Sequence, residues 1–368
     1  MNVTIERKSL LDLLGKASQA AARKPLQPVL GMVLLDATPE GLAVRASDTE
    51  TGYSGVGEVS QTKTQGAVLV EAAKILASVR ALPAGPVQLK TENNRLVLRS
   101  GRAAFRLPWV SLDDHPGWMP EISNGLHLSC ASGDLRAALS QVSFCVSPDD
   151  ARYGLNGLNA EYSGDVLRLV ATDGTRLALA EIEAKGDAEI PERTLIPRTA
   201  CDALRRVLPD TEDEVTIAFG DGLMQVELDS EVWTFRLIDG EFPDYRLVMP
   251  ESTATNAVVS VDALKQACLR AKVAQGHTSR ATRVEWTATT AEIIADANEH
   301  GSCSETIEVE TTGPGLVIGL NGGYVLEALG AIPGPTVEIG MNAPLQPVTI
   351  KDPTCPDSLW IVMPMRVD

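Results

Sequence analysis

The sequence predicts an α+β protein made of three copies of one domain, each copy being two β-α-β-β-β halves. Three observations carry this expectation. Leu82-Pro83, Leu208-Pro209 and Ile332-Pro333 each close a helix-like run, at spacings of 126 and 124 residues. Asp48, Asp173 and Asn298 follow one another at 125 residues, each at a polar break between two strand-like stretches. Within each copy the order of strand, helix and further strands then starts again. A period of this length means several copies of one folding unit. Six such halves, each with one helix and one antiparallel sheet portion, predict a layered assembly with helices on one side and sheets on the other.

The copies open alike. The first reads Val3-Thr4-Ile5 and then a helix from Ser9 to about Ala22. The second reads Leu126-His127-Leu128 and then Ser132 to about Val142, and the third Val258-Val259-Ser260 and then Asp262 to about Ala274. The i,i+4 pairs Leu10/Leu14, Leu135/Leu139 and Leu264/Cys268 give each helix one apolar stripe. Ser9, Ser132 and Asp262 have side-chain oxygens suited to N-terminal caps. Strands 31–37 and 41–47 flank Thr38-Pro39-Glu40, and strands 158–162 and 166–171 flank Ser163-Gly164-Asp165, both hairpin signals. The second halves begin at Ala67, Thr194 and Leu316, and each leads into the helix that ends at its X-Pro anchor. Strands 87–90 and 95–99, 215–219 and 224–228, and 337–340 and 348–350 follow. Turn-rich linkers near 120–125 and 250–256 divide the chain into domains 1–122, 126–251 and 254–368.

A chain of 368 residues gives each copy enough length to bury a core. Hydrophobic residues make up 44% and charged residues 22%, the balance of a soluble globular protein. No apolar run approaches the roughly 20 residues of a membrane span. Glu6, Arg7, Lys8 and Asp12 interrupt the start of the chain, which is not the pattern of a signal peptide. The six cysteines are scattered and form no CxxC pair, which predicts reduced thiols in a cytosol and no metal site.

The net charge of −17 argues, taken alone, against a nucleic-acid partner. Its distribution argues otherwise. The six helix-like segments carry a net +7, which leaves −24 on the rest of the chain. Helices sharing one surface would make that surface basic within an acidic body, a local attraction set inside a general repulsion. Lysines and arginines on solvated helix faces are the plainer account of the same tally. Catalytic signatures are absent: there is no GxGxxG, P-loop, HExxH or GxSxG. Asp48, Glu50, Asp149 and Asp150 stand in turns at non-corresponding places and read as solvated turn residues, not metal carboxylates.

Four local stretches, in order along the chain, carry a resemblance. Arg152-Tyr153-Gly154-Leu155-Asn156-Gly157 is similar to an RYYLNG stretch, and residues 171–178 (ATDGTRLA) to ATDGHRLA. Residues 239–245 (DGEFPDY) match DGxFPDY, and Met363-Pro364-Met365-Arg366 matches a terminal MPMR. Alone, the second would be a hairpin turn, the third a structured loop and the fourth a strand end. Together they resemble the bacterial sliding clamp family, the beta subunit of DNA polymerase III, over the whole chain. A specialised clamp paralogue, serving inhibitor resistance or another polymerase, resembles the same family.

The resemblance implies a head-to-tail homodimer whose six domains ring duplex DNA, with helices lining the hole. It implies no enzymatic activity and no cofactor. The ring tethers the polymerase III catalytic subunit, is opened by a clamp loader, and serves other polymerases and repair proteins through short clamp-binding peptides. The implied peptide pocket comprises Leu155, Thr172, Gly174, Thr175, Arg176 and Leu177. Pro243, Leu247, Val248, Asn321 and Tyr324 add to it, as do Val362, Met363, Pro364, Met365 and Arg366. Arg176 and Arg366 would orient polar or carboxylate groups at its rim. The implied DNA contacts are Lys24, Lys74, Arg152, Tyr153, Arg198, Arg205 and Arg206. The implied dimer seam joins Arg102 and Phe105 to Val273 and Ala274. Four residues depart from the family pattern. Gly154 stands where a second aromatic is frequent, Thr175 where His is usual and Leu247 where Arg is common. Ala274 is smaller than the residue often found there, which implies a weaker seam.

Overall fold

In the computed structural model, each copy begins with a strand that runs into its helix without a loop. The structure describes residues 1–368 except 113–114, 116, 123–124, 150, 153, 188–189, 276–280, 297–300 and 368, and leaves aside the side chains of 190–193 and 296. The expectations for Asn298, Asp150 and Tyr153 therefore lie outside the described residues.

The first copy runs β1 (Asn2–Glu6), α1 (Arg7–Ala20), β2 (Met32–Ala37), β3 (Leu42–Ser47), β4 (Thr51–Gly57) and β5 (Gln61–Thr64). It continues with β6 (Gly66–Glu71), α2 (Ala72–Ala81), β7 (Pro86–Glu92), β8 (Arg95–Ser100) and β9 (Ala103–Pro108). The second runs β10 (Leu126–Ala131), α3 (Ser132–Val142), β11 (Gly157–Ser163), β12 (Val166–Thr172), β13 (Arg176–Glu183) and β14 (Lys185–Gly186). β15 (Ile190–Pro197), α4 (Arg198–Val207), β16 (Glu214–Gly220), β17 (Leu223–Leu228) and β18 (Glu231–Arg236) complete it. The third runs β19 (Thr255–Ser260), α5 (Val261–Ala274), β20 (Ala281–Trp286), β21 (Thr290–Asp296), β22 (Ser302–Glu308) and β23 (Glu310–Thr312). It ends with β24 (Leu316–Asn321), α6 (Gly322–Ala331), β25 (Thr336–Met341), β26 (Val348–Asp352) and β27 (Cys355–Val362).

The expected caps are displaced. Helix α1 begins at Arg7, so Ser9 lies inside it, and its cap position is Glu6 with no side-chain bond. Ser132 is already the first residue of α3. Helix α5 is capped by Ser260, whose hydroxyl accepts from the Ala263 amide at 3.4 Å, and Asp262 sits in the first turn. The cause is the missing loop: the last extended residue of the strand takes the cap position. Three short strands went unforeseen. β5, β14 and β23 each pair with the outer side of their copy's first strand, β1, β10 and β19.

The contacts divide the chain into two compact units, one of residues 1–132, 185–188 and 211–237, the other of 133–184, 189–210 and 238–368. In the first unit, a five-stranded sheet has the order β5-β1-β7-β8-β9. A nine-stranded sheet has the order β14-β10-β16-β17-β18-β4-β3-β2-β6. Helix α1 packs on α2, β3 and β4 through buried Leu10, Leu13, Leu14 and Ala17. Strand β18 joins β4 directly, with Trp233 opposite Tyr53 and their rings 4.8 Å apart. Lys16 of α1 bonds Glu231 of β18 at 2.6 Å and Asp12 at 2.8 Å. Burial works against its charge, but the two carboxylates outweigh it and hold the Lys16 pKa above its ordinary value.

In the second unit, the nine-stranded sheet has the order β15-β11-β12-β13-β27-β26-β25-β19-β23, and a four-stranded sheet the order β22-β21-β20-β24. The join repeats: β27 pairs with β13, Ile361 opposite Leu177. Helix α5 packs on α6, β21 and β22. A buried polar cluster tethers α3 to β27. The Ser358 hydroxyl donates to Gln141 Oε1 at 2.8 Å and the Trp360 indole to the Gln141 carbonyl at 2.9 Å. Among the described residues no helix is long and apolar enough to cross a membrane.

Gly154 sits where the backbone leaves no room for a side chain. Its φ is +89°, and an added Cβ would overlap the carbonyl oxygen of Glu241. Gly164 also has positive φ, +60°, but opens onto free space. Gly154→Ala is expected to lower stability by about 2–3 kcal/mol and Gly164→Ala by about 1 kcal/mol in denaturant titrations; equal losses would show that the Glu241 contact relaxes freely. The thiols give a second test. Burial pushes Cys145, Cys201 and Cys268 up to about 12, Cys130 is buried as well, and Cys303 and Cys355 are partly exposed. A thiol reagent near neutral pH should modify Cys303 and Cys355 first and the other four only on unfolding; a fast third thiol would contradict the packing.

Candidate functional site

The hairpin between β12 and β13 organises the site. Asp173 Oδ1 accepts from the Thr175 amide at 2.9 Å and the Arg176 amide at 3.1 Å, and from the Thr175 hydroxyl at 2.6 Å. Thr172 Oγ1 donates to the Arg176 carbonyl at 2.6 Å and accepts from Gly174, whose φ is +86°. This is an Asx-type turn, and it fixes the direction in which Arg176 leaves the sheet. The Arg176 Nε bonds Asp173 Oδ2 at 3.0 Å, one terminal nitrogen bonds the Phe144 carbonyl at 2.9 Å, and the other meets Glu327 of α6. Its guanidinium lies over the rings of Tyr324, at 4.4 Å, and Phe144, at 5.4 Å. Three of the five Arg176 N–H groups thus bond the protein itself, and the side chain is held in place as part of the recess wall.

Beside this turn lies a recess of about 290 Å³. Leu155, Thr172, Gly174, Arg176 and Leu177 line one side, Pro243 and Val248 another, and Met363 closes it. Three lining residues were not anticipated: Asp244, Tyr245 and Ile361. Signals for them existed. Asp244 and Tyr245 belong to the DGEFPDY stretch, and Ile361 shares Met363's face two residues back along β27. The floor is a buried apolar cluster of Val170, Leu177, Leu179, Leu195, Phe242, Tyr245 and Ile361. Asp244 caps the short turn 245–248 by accepting from the Arg246 amide at 3.2 Å, which leaves Leu247 84% exposed at the end of the loop.

The remaining expected pocket residues surround the recess without lining it. Thr175 is in the turn itself, and its carbonyl accepts from the Met363 amide at 2.9 Å. Asn321 caps α6 through the Gly323 amide at 3.0 Å, and Tyr324 stacks on Arg176. Val362 is buried opposite Arg176 in the β13–β27 pairing. Pro364 and Met365 are half-buried, Met365 bonding the Gly319 carbonyl at 2.8 Å, and Arg366 is exposed.

The basic residues fall in separate places. Lys24 is exposed after α1, and Lys74 on α2 pairs with Glu71 at 2.9 Å. Arg198, Arg205 and Arg206 are together on α4; Arg198 and Arg205 both face Asp202, and Arg205 donates to Ser143 Oγ at 3.0 Å. Lys24 and Arg206 have no ion pair among the described residues. Arg152 donates to the Asp173 carbonyl at 2.9 Å, which puts it against the recess turn. Tyr153 lies outside the described residues. Of the expected seam residues, Arg102 is in the β8–β9 turn and Phe105 is half-buried on edge strand β9. Val273, at the end of α5, is 87% exposed, and Ala274 beside it is half-buried. Among the described residues no group of three His, Cys, Asp or Glu side chains is placed to hold a metal.

Family profiles of the DNA polymerase III beta subunit match the chain in three parts: the N-terminal domain over residues 1–120, the central domain over 130–244 and the C-terminal domain over 246–366. The beta sliding clamp of Salmonella typhimurium is 31% identical over 372 residues, and that of Escherichia coli 29% over 371, each match spanning all of both chains. Among solved structures, the beta subunit from Thermotoga maritima is similar at a TM-score of 0.93 and 27% identity. The Pseudomonas aeruginosa clamp bound to griselimycin is similar at 0.93 and 29%, again with full coverage of both chains. With all three domain profiles in order and full-length relatives, the chain belongs to the DNA polymerase III beta subunit family, the bacterial sliding clamps.

Proposed function

We propose that this chain encircles duplex DNA as a head-to-tail dimer and tethers polymerases through the recess beside Arg176. One observation carries the reading. Strand β18 pairs with β4 and β27 with β13, so the last strand of one copy closes onto the preceding copy. By the same rule β9 and β22 should have partners, yet among the described residues each ends its own sheet. A heterologous contact between β9 of one molecule and β22 of another satisfies both edges, and repeating it closes a ring. Phe105 on β9 and exposed Val273 on α5, which packs against β22, then meet at that seam, with Arg102 and Ala274 flanking them. The domains are those of residues 1–122, 126–251 and 254–368.

The protein acts as a processivity factor and not as a catalyst. Linkage by topology needs only weak, sequence-independent phosphate contacts, and Lys24, Lys74, Arg152, Tyr153, Arg198, Arg205 and Arg206 supply them. Ion pairs at Lys74, Arg198 and Arg205 dilute the positive charge, which suits sliding. The acidic remainder of the chain keeps the outer surface free of nucleic acid. The recess takes peptides with apolar anchors from the polymerase III catalytic subunit, the clamp loader and other polymerases and repair proteins. Met363 and the exposed Leu247 and Val248 adapt to varied side chains. Tethering raises the local concentration of each partner at the primer end. The work is cytoplasmic. The full-length relatives carry the name of the sliding clamp, so a specialised paralogue is not favoured.

Loaded on nicked circular DNA, the protein should be lost when the circle is linearised; retention on the linear product would refute topological binding. Met363→Ala should weaken a clamp-binding peptide by about tenfold, or roughly 1.4 kcal/mol, with the dimer unchanged by sedimentation. Loss of the dimer with unaltered peptide affinity would refute the assignment of the recess.

A further inference from the structure

The recess at the β13–β27 join has a counterpart at the β4–β18 join. Ser47 and Gly52 precede Thr172 and Leu177 by 125 residues in each case. Gly52 pairs with Thr234 as Leu177 pairs with Ile361. Trp118 lines the groove as Tyr245 lines the recess. The groove has a volume of about 320 Å³ and lies wholly within the first unit.

Its lining is of another kind. Two cross-strand rows form the floor, Arg45–Ser54–Val232–Glu227 and Ser47–Gly52–Thr234–Gln225. Trp118, Met119 and Glu121 form the opposite wall. The wall is pinned: Gln225 donates to the Pro120 carbonyl at 3.3 Å and accepts from the Ile122 amide at 3.1 Å. Gly52 and the buried Thr234 replace the leucine and isoleucine of the recess, and Met119 packs over Gly52, so the open part of the floor is the Arg45–Ser54–Val232–Glu227 row. Arg45 stands at one end and Glu227 at the other, with Glu121 above, and none of the three has an ion pair among the described residues. Three strand spacings separate Arg45 from Glu227, about 14 Å, which an extended chain spans in about four residues.

We propose that this groove binds an extended peptide segment with an acidic residue at one end and a basic residue four positions away. The acid docks on the Arg45 guanidinium, the base lies between Glu227 and Glu121, and the intervening backbone runs across Ser54 and Val232 beside Trp118. Guanidinium and carboxylate meet in a bidentate geometry that a lysine in its place would not reproduce. This site is separate from the recess, and its test does not require the ring.

The test uses the full chain labelled with fluorotryptophan. Of the five tryptophan resonances, the one lost in Trp118→Phe reports on the groove. Acetyl-Asp-Ala-Ala-Ala-Lys-amide should shift that resonance saturably and leave the other four in place. Arg45→Glu should abolish the saturation, and acetyl-Lys-Ala-Ala-Ala-Lys-amide should restore it in that variant. No shift, a shift shared by all five resonances, or equal binding by Arg45→Glu would overturn the proposal.

Discussion

Antiparallel pairing between the copies is the constraint on which the rest of the molecule depends. A β-sheet edge is a row of unmet donors and acceptors, and two of the copies meet theirs in a neighbouring copy. The β4–β18 and β13–β27 pairings turn separate sheets into sheets of nine strands. Each join also creates a concavity, because the connection to the following copy must pass over the sheet there: residues 118–122 at one join and 243–248 at the other. The recess and the groove follow from the joins, and the side chains set how polar each of them is.

The order of strands and helices was legible because it rests on local periodicity, which the chain keeps in every copy. The caps were not, since reading Asp262 as a cap assumes a loop that the structure omits in favour of Ser260. Strands β5, β14 and β23 escaped notice for a different reason. Gln61-Thr62-Lys63-Thr64 has no apolar alternation, and only pairing with β1 makes it a strand. For the site, motif matching found the turn at 172–176 and the loop at 243–248. It did not find what holds Arg176, because Phe144 and Glu327 come from elements 32 and 151 residues away.

Arg176 shows how a nearly buried charge is held in the wall of the recess. A guanidinium that is 11% exposed would be costly to bury alone. Asp173, Glu327, a carbonyl and two aromatic faces satisfy it, so it becomes a fixed wall of the recess. Thr175 contributes by donating its hydroxyl to Asp173, which helps close the turn. The charge the chain places elsewhere is handled more loosely: Lys74, Arg198 and Arg205 make exposed pairs of small energetic weight.

The joins have a further consequence for how the chain is made. Tyr53 and Trp233 are 180 residues apart in sequence, and so are Leu179 and Leu359. Strand β4 leaves the ribosome long before β18 exists, and β13 long before β27. The first two copies must each carry an open edge through the synthesis of much of the next, and loop closure over such distances is slow. The molecule thus acquires its nine-stranded sheets late, and the interval before closure is when a freshly made chain is most exposed to pairing with the wrong neighbour.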